Sequence, residues 1–288
     1  MNRRTSNAMT VDVEEHFQVQ AFANCVARDQ WDGFASRVEA NVDRILQQFA
    51  DAGVSATFFT LGWIAERHKD MVRQIVAAGH ELASHGYDHT RADSQDQVVF
   101  RADVGRSRRL LEDIGGVPVR GYRAATFSIG ARNQWAFGVL EEEGYEYSSS
   151  VNPISHDLYG MPDASRVPYR AGGKLCEIPM TTVRAFGRNF PCSGGGYFRL
   201  LPYPAFRFGL ASVNRRGQAG VFYFHPWEID PAQPRIANCG WKSRFRHYNN
   251  LSRTAARLDC LLRDFTWDRM DRVFADWIGS SCGLSAAA

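Results

Sequence analysis

Glu81-Leu82-Ala83-Ser84-His85-Gly86-Tyr87-Asp88-His89 is a short apolar run that opens into a pair of imidazoles. The run has the length of a buried strand, and the histidines fall just past its C-terminal end. Two neutral imidazoles at this spacing can turn their nitrogens toward one divalent ion. An isolated pair of this kind reads better as a loop that caps or hydrogen-bonds itself. What decides between the two is that the arrangement of strand followed by reactive residue recurs along the chain.

Strand-like runs occupy 9–13, 56–60, 81–84, 121–123, 145–149, 176–179 and 221–225, several of them apolar on both faces, as parallel strands covered by helices are. Amphipathic stretches separate them. Val38, Val42, Ile45, Leu46 and Phe49 form one apolar stripe, closed by Gly53. Met71, Val72, Ile75 and Val76 form a second before Gly79, and Val104, Leu110, Leu111 and Ile114 a third before Gly115. Trp135, Val139 and Leu140 lead into Gly144. This strand–helix order predicts a parallel α/β fold. Asp12 and Glu14, His85 and His89, Arg123, Ser149 and His225 all sit at or just past the C-terminal ends of these runs. That is where the active site of a barrel gathers, so a (β/α) barrel of about seven parallel strands is expected rather than a doubly wound sheet. We expect one domain over 9–279, with 231–279 as a C-terminal extension packed on the barrel. The Gly- and Pro-rich stretch 152–204 reads as long ordered loops that shape a cleft. A final helix is expected near 254–265, and frayed chain at 284–288.

Bulk properties exclude several classes. A hydrophobic content of 44% and a charged content of 23% are those of an ordinary globular chain. A net charge of +3 gives no case for nucleic acid. No apolar run reaches the roughly 20 residues of a membrane span, and the first nine residues carry no apolar leader core. A cytoplasmic location is the corresponding expectation. Six cysteines (25, 176, 192, 239, 260 and 282) form no Cys-x-x-Cys pair, so free thiols are expected.

Asp12 and Glu14 are two residues apart on a strand and so share a face. One can hold a metal while the other takes a proton from water, and two histidines plus one carboxylate leave the open position a catalytic site needs. Arg123, in Gly121-Tyr122-Arg123-Ala124-Ala125-Thr126-Phe127, can orient a carboxylate base or hold a substrate oxygen. His225 ends the apolar run Val221-Phe222-Tyr223-Phe224 and is a candidate general acid.

Together these segments resemble the polysaccharide deacetylases of the NodB-homology group, carbohydrate esterase family 4. Ser84–His89 is similar to the metal-binding histidine motif, and Thr10-Val11-Asp12 to the opening aspartate motif. Gly121–Ala124 is similar to the arginine motif, and Phe222–His225 to the final histidine motif. Val11-Asp12-Val13-Glu14-Glu15, Gly194–Arg199, His225-Pro226-Trp227-Glu228 and Arg246–Leu251 resemble the exopolysaccharide-locus branch of that group, which accompanies exosortase systems. The resemblance implies a distorted (β/α) barrel with seven strands and a metal-dependent removal of N-acetyl groups from a glycan during exopolysaccharide biosynthesis. It implies Asp12 as general base, Arg123 as its brace, His225 as the acid that protonates the leaving amine, and the Thr126 backbone N–H as an oxyanion donor. His85 and His89 become metal ligands. The common form has a second aspartate where Val13 stands, and valine cannot bind metal. Alternation then assigns the third ligand to Glu14, with Glu15 as runner-up. Two further departures are Ala125 in place of a proline and Ser148 in place of an aspartate. Zinc heads the expected cofactors, with cobalt, nickel or iron also fitting. The expected partner is an N-acetylated glycan; oligomeric state is not readable. Two other functions stay open: hydrolysis of small cyclic amides or formamides on the same barrel, and silent glycan binding through aromatics such as Trp227, Tyr197 and Trp241.

Overall fold

Alternation along β1 (Ser6–Val13) sets the architecture of the computed structural model, which describes residues 5–279. Met9, Val11 and Val13 point outward into a core shared with helices, while Ala8, Thr10 and Asp12 point into the concave side of the sheet. The remaining strands are β2 (Thr57–Thr60), β3 (Glu81–Ser84), β4 (Gly121–Tyr122), β5 (Tyr147–Ser148), β6 (Tyr169–Arg170), β7 (Cys176–Glu177), β8 (Thr182–Ala185), β9 (Arg188–Pro191), β10 (Val221–Phe224) and β11 (Thr266–Asp268). The sheet runs β10-β1-β2-β3-β4-β5-β7-β6, parallel except for the β7–β6 pair, and curls with no ladder among the described residues joining its two ends. It is the expected barrel in its open, distorted form.

Helices α1 (Val38–Ala52), α2 (Gly62–Arg67), α3 (Lys69–Ala77), α4 (Gln97–Gly115) and α5 (Trp135–Glu142) cover the first half of the convex face. Helices α6 (Gly195–Leu200), α7 (Tyr203–Asn214), α8 (Trp241–Tyr248) and α9 (Leu251–Asp264) belong to the second half, followed by the short α10 (Met270–Val273) and α11 (Ala275–Gly279). The predicted glycine stops hold at Gly53, which ends α1 with φ 64°, and one residue late at Gly116, which ends α4 with φ 66°.

All seven predicted strand positions carry strands, most of them shorter than predicted and β1 longer. The 152–204 stretch is more ordered than loops: besides β7 it holds β6, the antiparallel β8–β9 hairpin and α6. Alternation there is too short and too polar to stand out. The helix expected at 254–265 starts at Leu251 and is not the last element, since β11 follows it and pairs with β1. The expected frayed end at 284–288 lies outside the described residues. Cys25 and Cys239 are paired as a disulfide with Cα atoms 5.7 Å apart, which overturns the free-thiol expectation for these two. Their sequence separation of 214 hid the contact. No helix among the described residues is long and apolar enough to cross a membrane.

Candidate functional site

The inward parity of β1, β3 and β10 carries past their C-terminal ends, and there the predicted residues meet. Glu14 continues the Thr10–Asp12 face, His85 the Glu81–Ala83 face, and His225 the Val221–Tyr223 face. One ligand atom each from Glu14, His85 and His89 lies within 4.8 Å of the others, and all three residues are buried.

The histidine loop is held by its own backbone. Gly86 takes φ 78°, and a Cβ there would come within 3.1 Å of Asp103. The Gly86 carbonyl accepts from the Gly62 N–H at 2.9 Å and the Ser107 hydroxyl at 2.9 Å, while Tyr87 N–H donates to Asp103 at 3.0 Å. His89 closes the loop at φ 59°, a conformation rare outside glycine. His85 Nδ1 lies 2.8 Å from the Arg123 carbonyl, which can only accept. The proton therefore sits on Nδ1, and the Nε2 lone pair is left for an ion. Burial pushes the His85 pKa down to about 4, so the ring is neutral at pH 7, as a ligand must be.

Glu14 supplies the orphaned acceptor that a cation site requires. Its Oε2 lies 2.9 Å from His89 Nε2, but the buried oxygen has no hydrogen-bond partner. Its Oε1 accepts from Trp227 Nε1 at 3.2 Å and lies 3.5 Å from His225 Nε2. Burial opposes ionisation of Glu14, but His89, His225 and His85 outweigh it and hold the carboxyl at about 2. The donor set, two imidazoles and a carboxylate with an unfilled acceptor between them, fits a divalent metal ion.

Glu15, the runner-up ligand, faces away. Its Oε1 accepts from Arg37 N–H at 2.7 Å, Val38 N–H at 3.0 Å and the Ser36 hydroxyl at 2.5 Å. It thus satisfies the open donors at the start of α1.

Asp12 stands outside the three-ligand cluster but lines the same cleft. Arg123, fully buried, reaches Asp12 Oδ1 at 2.6 Å and the Thr10 hydroxyl at 2.8 Å. Its other nitrogens bond the Ser149 carbonyl and hydroxyl, each at 3.2 Å, and its guanidinium lies 4.0 Å from the Phe59 ring centroid. Arg123 and Ser149 are site candidates from the sequence, whereas Thr10 enters there only as the first residue of the Thr10-Val11-Asp12 motif. Thr126 lines the cleft with φ 57°.

His225 faces Glu14 from across the cleft. Burial disfavours its charged form, yet Glu14 and Glu228 outweigh that and lift its pKa to about 9. Trp227 stacks on it at 5.1 Å between centroids, and His247 stacks on Trp227 at 4.1 Å. Trp227 is therefore buried in a ring stack rather than offered to sugars, whereas Trp241 is 74% exposed. The cleft has a volume of about 400 Å³, with Tyr159, Tyr197 and Phe245 on its walls.

Residues 29–148 match the polysaccharide deacetylase family model, and residues 149–275 match a domain of unknown function, DUF3473. A peptidoglycan deacetylase of Helicobacter pylori is 28% identical over 118 residues, which are 39% of this chain and 38% of that protein. A chitooligosaccharide deacetylase of Rhizobium leguminosarum bv. trifolii is 31% identical over 68 residues, 24% of this chain and 32% of that protein. The chain thus spans under two-fifths of the length of these curated relatives. Among solved structures, a Mycobacterium smegmatis protein assigned as a polysaccharide deacetylase superposes with a TM-score of 0.62 at 21% identity, covering 100% of this chain and 96% of that one. The PuuE allantoinase superposes with a TM-score of 0.61 at 17% identity, covering 98% and 92%. These two likenesses show the fold. Four motifs lie in order along that fold, and the match to the polysaccharide deacetylase model covers the strands that carry His85, His89 and Arg123, so residues 29–148 carry a polysaccharide deacetylase domain.

Proposed function

We propose that this chain is a metal-dependent hydrolase that removes N-acetyl groups from an N-acetylated glycan, with 9–279 acting as one domain. The observation that carries the reading is the convergence of Glu14, His85 and His89 within 4.8 Å at the base of a cleft also lined by Asp12 and His225. A divalent cation held by those three, zinc first and cobalt, nickel or iron by the same donors, supplies Lewis acidity toward an amide carbonyl and acidifies water. Asp12 takes the proton of the attacking water, and Arg123 keeps that carboxylate aimed. The Thr126 N–H donates to the oxygen that becomes negative as water adds to the carbonyl carbon. His225 Nε2 gives a proton to the nitrogen as the C–N bond breaks, and acetate and a free amine leave. The open cleft and its aromatic walls suit a saccharide chain better than a small enclosed amide. Support for a role in exopolysaccharide biosynthesis is the likeness of Val11–Glu15, Gly194–Arg199, His225–Glu228 and Arg246–Leu251 to that branch.

The test is acetate release from N-acetylglucosamine oligomers. We expect release that a chelator abolishes and added zinc or cobalt restores. Absence of release from any acetylated glycan by the folded, metal-loaded chain would overturn the reading; turnover of a cyclic amide or formamide instead would replace it with the small-amide alternative.

A further inference from the structure

We propose that Arg199 and Glu228 form a buried lock that positions His225, and that supplying this lock is what the segment matched by DUF3473 contributes to the site. The inference deepens the deacetylase reading and rests on it. It starts from Ser148. That residue has no carboxylate, and its hydroxyl bonds Ser150 Oγ at 2.8 Å, so β5 offers no acidic partner for a catalytic imidazole. The carboxylate comes from another place. Glu228 Oε1 lies 2.6 Å from His225 Nδ1 and also accepts the His225 backbone N–H at 3.1 Å. One oxygen thus grips both the ring and the main chain of the same residue. An ionised carboxylate only accepts, so the proton is on Nδ1 and Nε2 is the nitrogen turned to the cleft.

Glu228 is itself fixed. Arg199 Nε donates to Glu228 Oε2 at 2.6 Å. Arg199 Nη1 donates to the carbonyls of His247 at 2.7 Å and Asn249 at 2.8 Å, and Nη2 to that of Arg246 at 2.9 Å. The side chains of Arg199 and Glu228 are 3% and 1% exposed. A buried ion pair of this kind adds little stability over an apolar pair of equal volume, so its worth lies in fixing geometry. The His225–Trp227–His247 stack adds a flat support against ring rotation. The lock draws together Gly194–Arg199, His225–Glu228 and Arg246–Leu251, the three stretches for which the metal triad and Asp12 have no use. A carboxylate that holds the Nδ1–H of an imidazole ring in one orientation is a positioning residue; it touches neither substrate nor metal.

The full chain, zinc-loaded, is compared with Glu228→Gln, Glu228→Asp and Arg199→Lys. Glu228→Gln should lower kcat by roughly a hundredfold or more, with KM within about threefold and zinc content unchanged. Glu228→Asp should recover part of that loss, and Arg199→Lys should fall between. Independently of activity, nitrogen-15 histidine spectra of the metal-free chain, with His225 assigned by its absence in His225→Gln, should show a slowly exchanging proton on Nδ1. That proton should be lost or fast-exchanging in Glu228→Gln. A folded Glu228→Gln with kcat within about twofold of the parent, or an unchanged Nδ1 signal, overturns the lock. Should Glu228→Gln fail to fold, Arg199→Lys decides: parental kcat and an unchanged Nδ1 signal overturn the lock as well. If the parent chain releases no acetate, the deacetylase reading fails by itself, and the Nδ1 signal still decides whether Glu228 positions His225.

Discussion

The cleft has two sides built on one plan with different materials. On the β1–β4 side, Asp12 is braced by Arg123, and both lie inside the curl of the sheet, sealed by Thr10, Ser149 and the Phe59 ring. On the β10 side, His225 is braced by Glu228, which is braced in turn by Arg199, and all of it sits at the rim on loops and short helices. The first brace is set by strand parity and needs one side chain. The second has no strand behind it, so it takes two charged residues, three carbonyls from 246–249 and a stack of rings to fix one imidazole. A barrel interior positions a side chain through its ladder; a rim must do so with side-chain bonds.

The sharpest break of this comparison is removal of what both sides serve. His85→Ala should abolish metal binding, read by elemental analysis, and lower acetate release at least about a thousandfold; retained metal would show that the two sides do not meet at an ion. Next, Asp12→Asn should cost about a hundred- to ten-thousandfold in kcat while zinc stays bound, since Asp12 is outside the ligand cluster. Loss of zinc there would merge base and ligand roles. The pair Glu14→Gln and Glu15→Gln separates neighbours by parity. The first should lose metal; the second should keep it and lose about 1 kcal/mol of stability in denaturant melts, as a weakened helix start does.

A smaller effect lies at the opposite end of β3. Glu81 accepts from the Tyr147 hydroxyl at 2.9 Å and Asp271 N–H at 3.2 Å, and burial together with Asp271 raises its carboxyl from 4.5 to about 7. Between those values the folded chain holds a proton that the unfolded chain has lost. Stability from this group is therefore fully present below about 4.5, falls as pH rises to about 7, and is level above that. Thermal melts across this window should show the fall, on the order of 1 kcal/mol or more, and Glu81→Gln should flatten it with activity intact. Activity lost with Glu81→Gln would mean that the two ends of β3 are not independent.

The same contrast explains what could be read from the sequence. Strand parity is local, so the placing of Asp12, Glu14, His85, Arg123 and His225 along one rim of the sheet was legible, as was the ranking of Glu14 above Glu15 for that face. The Arg199–Glu228 contact joins residues 29 apart through irregular chain, and Cys25–Cys239 joins residues 214 apart; no periodicity reports either. The β8–β9 hairpin and β6 were missed because half-exposed strands of two to four residues carry no apolar run. Trp227 looked like a sugar platform from its type alone, and only packing shows its faces taken by His225 and His247.

The most direct measurement is an anomalous-scattering map from crystals grown with zinc. The account predicts one strong peak within about 2.0–2.2 Å of Glu14, His85 Nε2 and a His89 nitrogen, with Asp12 and Glu15 uncoordinated. A peak held by Asp12 or Glu15 instead, or no peak between the two histidines at saturating zinc, would contradict it.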